Sequence, residues 1–334
     1  AGSAMADDWL ILSDRPAARA ATAGLVERGL FVVELAFPIL EAAVLLDHQS
    51  TDGWSRTFTL FHDPVAGLVL MHRQGQRVAR HALRGPLPVQ GGPARLSLSF
   101  DAPARSWQMQ LAFPANPDTP VLTAAGADPL PIRSDDLTAL SQAARRHRAV
   151  LWFGLTRGST LPTRAPWIGQ RTPIETARGP VMAGHLRPGD LIATADGGLL
   201  PLLQARRLDL PACGSFAPVI LRAPYFGSTS DILVSADQRV ALCGPEVEYL
   251  FSEDEVLVEA GALVDGRTAL ADQRRAVTTG LALDLAHPGI VLADGCPLMI
   301  ARQGEAPPRR VLQPFEALTL MAMLGRAGGI RRSA

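Results

Sequence analysis

Lysine is absent from this chain, and Asn116 is its single asparagine. All 32 cations are therefore arginines, and 32 acids balance them to a net charge of zero. The arginine bias reads as the signature of a GC-rich bacterial genome. The balance argues against nucleic acid or an anionic membrane as partner, since both attract a basic excess. Cysteine is scarce: Cys213, Cys243 and Cys296 lie too far apart for a Cys-x-x-Cys metal site, and their odd number argues against a full disulfide framework. They read as buried free thiols of a reducing compartment. No run of eighteen apolar residues occurs, so no integral membrane segment is expected. Trp9-Leu-Ile-Leu is short and follows Asp7-Asp8 instead of cations, which argues against a signal peptide. Cytoplasmic residence and export without a cleavable signal both stay open. Ala1-Gly-Ser-Ala reads as a remnant of cloning ahead of Met5. Gly-x-x-x-x-Gly-Lys, Gly-x-Gly-x-x-Gly, Gly-x-Ser-x-Gly and His-Glu-x-x-His are all missing, so no cofactor and no metal is expected.

What is present is length for two domains and a dense series of short strands. Leu30–Phe37, Arg56–Phe61, Gly67–His72, Arg77–Leu83, Arg95–Phe100 and Ser106–Phe113 are six to eight residues each. Several alternate apolar with polar, as in Leu96, Leu98 and Phe100 or Trp107, Met109 and Leu111. Asp52-Gly53, Asp63-Pro64, Gly85-Pro86 and Asp101-Ala-Pro103 punctuate them. Antiparallel strands at this spacing predict a jelly-roll-like β-sandwich over 6–155. Its pattern resembles the laminin-G and concanavalin-type sandwiches, members of which bind sugars, some through calcium. Asp47, Asp52, Asp63 and Asp101 sit singly at strand ends, where they serve as turn formers and not as a six-oxygen calcium cage. Within this domain Ser134 to Arg148 carries acids early and cations late, the pattern of a helix over 134–148. Ala149 to Leu155 reads as a further strand, and 156–166 as a linker.

The stretch from Trp167 is more specific. It runs Trp167-Ile-Gly-Gln-Arg-Thr-Pro-Ile-Glu-Thr-Ala-Arg-Gly, then Leu186-Arg-Pro-Gly-Asp-Leu-Ile-Ala-Thr-Ala-Asp. Together with Phe216–Ala223, Asp231–Leu242, Tyr249–Gly266 and Ile290–Gly295, it resembles the Hint (Hedgehog/intein) family in its bacterial branch, over 167–303. The resemblance implies an all-β domain. The fold expected for the chain is thus mainly β: the sandwich, a Hint-like domain and a tail, 304–334, with a helix over 314–326. Phe315, Leu318, Ala322 and Met321 or Leu324 are expected as that helix's docking face.

The resemblance also implies self-cleavage chemistry, and this sequence departs from it at two positions. A Cys, Ser or Thr should open the domain nine residues before Thr176, to attack the carbonyl upstream. That position holds Trp167, whose indole cannot attack, and it follows Pro166, whose ring restricts approach to the carbonyl. A Thr/Ser-x-x-His motif should supply a general acid. The matching stretch is Ser235-Ala-Asp-Gln238, so glutamine stands in the histidine's place and has no proton to give near neutral pH. Splicing through asparagine also fails, because Asn116 lies in the other domain. Thr172, His185, Cys243 and His287 remain as weak substitutes. The expected function is a catalytically silent Hint-like protein acting in binding or assembly, through an unknown protein or glycan partner. Residual self-proteolysis or acyl transfer, and carbohydrate adhesion through the sandwich, are the alternatives.

Overall fold

The computed structural model describes residues 9–15, 24–161, 165–302 and 304–326, and counts and absences stated for the molecule refer to these. Ala1–Ala4 and Met5 lie outside the described residues. The chain divides into two compact units, residues 1–164 and 165–334.

The first unit is a sandwich of two antiparallel sheets. One runs Trp9–Leu12, Val150–Thr156, Arg28–Phe37, Gly92–Asp101, Ser106–Ala112, Leu122–Ala127 in spatial order. The other runs Arg145–Arg146, Ala43–Ser50, Arg56–Asp63, Gly67–Gln74, Arg77–Arg84. Period-two alternation turns Phe31, Val33, Leu96 and Leu111 of one sheet toward Phe58, Leu60, Leu68 and Leu70 of the other, in one buried core. Each such side chain contributes about 1.5–3 kcal/mol by leaving water. The Ala43–Ser50 strand is not evident from sequence because its pairing shifts between Val44 and Leu46. The bulge sends Leu45 and Leu46 both inward and hides the alternation.

The helix of this unit is shorter than the sequence predicts. It spans Ser134–Ala143, and Arg145–Arg146 pairs as a strand with Asp47 and Leu46. Tertiary partners account for the change. Arg146 binds Asp14 at 2.7 Å and lies over the Phe153 ring, so its charge is satisfied without a helix terminus. The single aspartates behave as turn and pairing groups: Asp63 accepts the Val65 and Ala66 amides, Asp101 accepts the Ala104 amide, and Asp47 accepts the Thr59 hydroxyl.

In the second unit the strands follow one another through a single extended antiparallel network, closed at one edge by the parallel pair Glu255–Glu259 and Arg310–Val311. Leu199–Pro211 and Val277–Leu285 form its longest ladder. Ile168, Ile174, Ile192, Val234, Val240 and Leu281 lie in its core. The helix Pro314–Arg326 belongs to this unit. Ala317, Leu320 and Leu324 enter the core, whereas Phe315 and Leu318 are 68% and 66% exposed. The docking face is therefore rotated from the one expected. The Gln313 amide donates to Glu316 at 2.8 Å, and Arg310 binds the same carboxylate. That carboxylate satisfies a backbone donor at the helix's start, and burial of Ala317, Leu320 and Leu324 sets the face where apolar periodicity is ambiguous. No described helix is long and apolar enough to cross a membrane.

Candidate functional site

Trp167 precedes the short strand Ile168–Gly169, which is paired on one side with Val234 and on the other with Leu281 and Gly280. Its side chain is 4% exposed. The indole lies flat against Gly280, where an added Cβ would come within 2.3–2.5 Å of its ring atoms. Glycine at 280 is thus required by close approach, not by backbone angle.

Ser235 meets the backbone of Trp167 twice. The Trp167 amide donates to Ser235 Oγ at 3.0 Å, and the Ser235 amide donates to the Trp167 carbonyl at 3.0 Å. The strand Ile232–Val234 delivers Ser235, and the Gln238 amide then closes a turn onto the Ser235 carbonyl at 3.1 Å. Gln238 is fully buried. Its Nε2 donates to the carbonyls of Met299 at 2.8 Å and Arg239 at 3.1 Å, and its Oε1 has no partner among the described residues. Both amide protons are fixed on backbone acceptors, so neither points to a departing nitrogen.

The structure therefore brings together Trp167, Ser235 and Gln238, and places the other candidates elsewhere in function. Thr176 closes the turn between Pro173–Thr176 and Gly179–Met182: its hydroxyl donates to the Gly179 carbonyl at 2.6 Å and accepts the Arg178 amide. Asp190 accepts the Arg187 amide and pairs with Arg178, shaping the Leu186–Asp190 turn. Thr172 is buried in a turn whose amide donates to the Gly169 carbonyl. His185 and His287 are exposed. Cys243 is half-buried opposite Glu255, and burial, with the nearby Glu255 charge, pushes its thiol pKa up. Cys296 is fully buried, and desolvation raises its pKa to about 12. Neither thiol is poised as a thiolate nucleophile. A separate cleft of about 370 Å³, lined by Asp196, Leu199, Glu255, Pro288 and Arg309 among others, includes none of Trp167, Ser235 and Gln238.

Gly280 and the Met299 carbonyl are contacts of this site that sequence reasoning misses. The only signal for Gly280 is an isolated glycine inside an apolar strand pattern.

Residues 169–299 match the family model described as "Hint domain". Among solved structures, the MchDnaB-1 intein is 15% identical, with 40% of this chain and 99% of that one covered and a TM-score of 0.27. The gp41-1 intein is 11% identical over 41% of this chain and 98% of that one, with a TM-score of 0.26. The LG1-3 region of the laminin alpha2 chain is 10% identical over 89% of this chain and 60% of that one, with a TM-score of 0.29. No curated protein matches the chain.

Proposed function

We propose that this chain is a catalytically silent Hint-like protein whose work is binding or assembly and not self-cleavage. One observation carries the reading: at the place of the nucleophile stands an indole packed on Gly280, with its own amide held by Ser235. An N–H that donates to a hydroxyl keeps the nitrogen lone pair conjugated with its carbonyl. The serine then presents lone pairs to that nitrogen, not a proton, and gives no help to its departure. Gln238 adds only amide protons already committed to carbonyls. Nucleophile and acid act as a unit, so losing both removes most of the rate that either supports.

Residual chemistry through the weak candidates has less behind it. Thr172 sits in a closed turn five residues past the lost position, and the Cys243 thiol is harder to ionise than usual. The arginine bias supports a bacterial source. The test is direct: the purified full chain is incubated with dithiothreitol or hydroxylamine and weighed intact. A single 35.5 kDa species is expected. Fragments ending near Pro166 would overturn the proposal.

A further inference from the structure

The sandwich has four sheet edges, and they are not finished alike. An open edge presents unpaired N–H and C=O groups, which proteins blunt by shortness, a bulge, charged side chains or proline. Three of the four edges follow that rule. Trp9–Leu12 is four residues long and bulged between Trp9 and Ile11. Arg145–Arg146 is two exposed arginines. Arg77–Arg84 is longer but carries Arg77, Arg80 and Arg84, all exposed. In the second unit the terminal strands Ala269–Ala271 and Arg310–Val311 have three and two residues.

The fourth edge, Leu122–Ala127, has none of these devices. Its six residues include no charge and no proline, and they pair in unbroken register with residues 106–111. Among the described residues no strand lies on its other side, and Thr123, Ala125, Gly126 and Ala127 are exposed. About 20 Å of extended backbone is therefore open. A second extended strand is the group that matches its donors and acceptors at their own spacing.

We infer that this edge pairs with the same strand of a second copy, antiparallel about a two-fold axis, so that two six-stranded sheets become one. Two observations favour a copy over a foreign peptide. Sheet edges select foreign peptides through pockets for alternate side chains. After Leu122 this strand holds only threonine, alanine and glycine, too small to wall such pockets. Charge along the edge supplies the second argument. Asp118 is exposed ahead of the strand's start. At its other end the exposed pair Arg105–Asp128 stands with Arg77, whose charge also acts on Asp128, leaving one cation in excess. Arg80 and Arg84 alternate onto the opposite face of their strand from Arg77 and do not share in this balance. Antiparallel pairing sets the Asp118 end of each copy toward the arginine end of the other, twice over. The assembly also closes, because a two-fold uses each open edge once and the sheet's far edge is the short, bulged Trp9–Leu12. The surface lies in the first unit, so this inference and the silence of the second unit stand or fall separately.

The experiment is sedimentation velocity of the full chain over a concentration series. Wild-type protein should approach a species of twice the 35.5 kDa chain mass. Ala125 lies near the middle of the strand, where antiparallel copies bring the same position together. Ala125→Glu and Ala125→Arg should each weaken dimerisation about tenfold or more through like charges, yet melt like wild type because the site is exposed. Mixed one to one, the two variants should regain the dimer. A wild type that stays monomeric would overturn the inference, including one that captures a foreign extended peptide instead. So would variants that dimerise as well as wild type, or a mixture that stays monomeric. Species that keep growing beyond the dimer would refute the closed two-fold.

Discussion

Trp167 and Gly280 form one contact and have to change together. A methyl group at 280 would overlap the indole, so Gly280→Ala is expected to destabilise the second unit by about 1–3 kcal/mol. Chemical denaturation should show a lower midpoint with an unchanged slope. The chemistry is tested by the opposite route. Trp167→Cys combined with Gln238→His restores a thiol and an imidazole at the two departed positions, and dithiothreitol should then release a fragment ending at Pro166. Neither single variant should do so, because each lacks the other half of the pair. Positions 167 and 238 were picked out in the sequence by a counted offset from Thr176 and by the stretch Ser235-Ala-Asp-Gln238, and Ser235 links them in the fold through its bonds to the Trp167 backbone and the Gln238 amide. The glycine under the indole was not legible: residues 167 and 280 meet only once distant strands pair, and no local pattern encodes that approach.

Among the elements, the C-terminal helix shows most clearly what periodicity leaves open. Pro314–Arg326 is apolar on two faces, and the buried one holds Ala317, Leu320 and Leu324. Leu320→Ala should therefore cost about 2–5 kcal/mol, whereas Phe315→Ser on the exposed face should change stability by less than about 0.5 kcal/mol. Comparable losses for the two variants, read by urea denaturation, would reverse the assignment of faces. The alternating strands Gly92–Asp101 and Ser106–Ala112 were readable because the pleat repeats every two residues, whereas Arg28–Phe37, buried on both faces, was readable as a continuous apolar run. Leu122–Ala127 escaped because after Leu122 it holds only threonine, alanine and glycine, at a sheet edge with no apolar alternation to detect. The helix at Ser134–Ala143 was overextended because Arg145–Arg148 suits a helix terminus as well as a paired strand, and the strand partner lies about a hundred residues away.

Across the whole molecule, histidine is unevenly distributed. His48, His62, His72 and His81 lie on the inner face of one sheet of the first unit and are buried, whereas His185 and His287 in the second unit are exposed. Burial lowers the pKa of His72 and His81 from 6.5 to about 4; the His81 charge adds to the shift at His72, and the His81 ring lies edge-to-face with Trp107. His48 and His62 are lowered by burial as well. Asp136 and Asp47 partly oppose the shift at His48 and Arg56 reinforces it; at His62, the Glu41 carbonyl and Asp63 oppose it and His147 reinforces it. Above pH 6.5 both folded and unfolded chains carry neutral imidazoles. As pH falls from 6.5 toward 4, the unfolded chain takes up protons that the folded sheet excludes, so stability falls; below 4 no further loss arises from these two groups. The expected loss is on the order of 3 kcal/mol for each. Differential scanning calorimetry at pH 7 and pH 4.5 should show the first unit's transition moving down more than the second's. His72→Leu with His81→Leu should flatten that dependence.

The interlocked tryptophan has a bearing on descent as well as on chemistry. Reverting it to a small residue would open a void in the second unit's interior costing about 3 kcal/mol or more, a sizeable part of the margin that keeps a domain folded. A lineage carrying this indole would regain a reactive side chain at a cost in stability, which a further mutation refilling the space would offset. Wherever close relatives keep the bulky ring, position 280 should stay glycine, and ancestors with a thiol there should tolerate alanine.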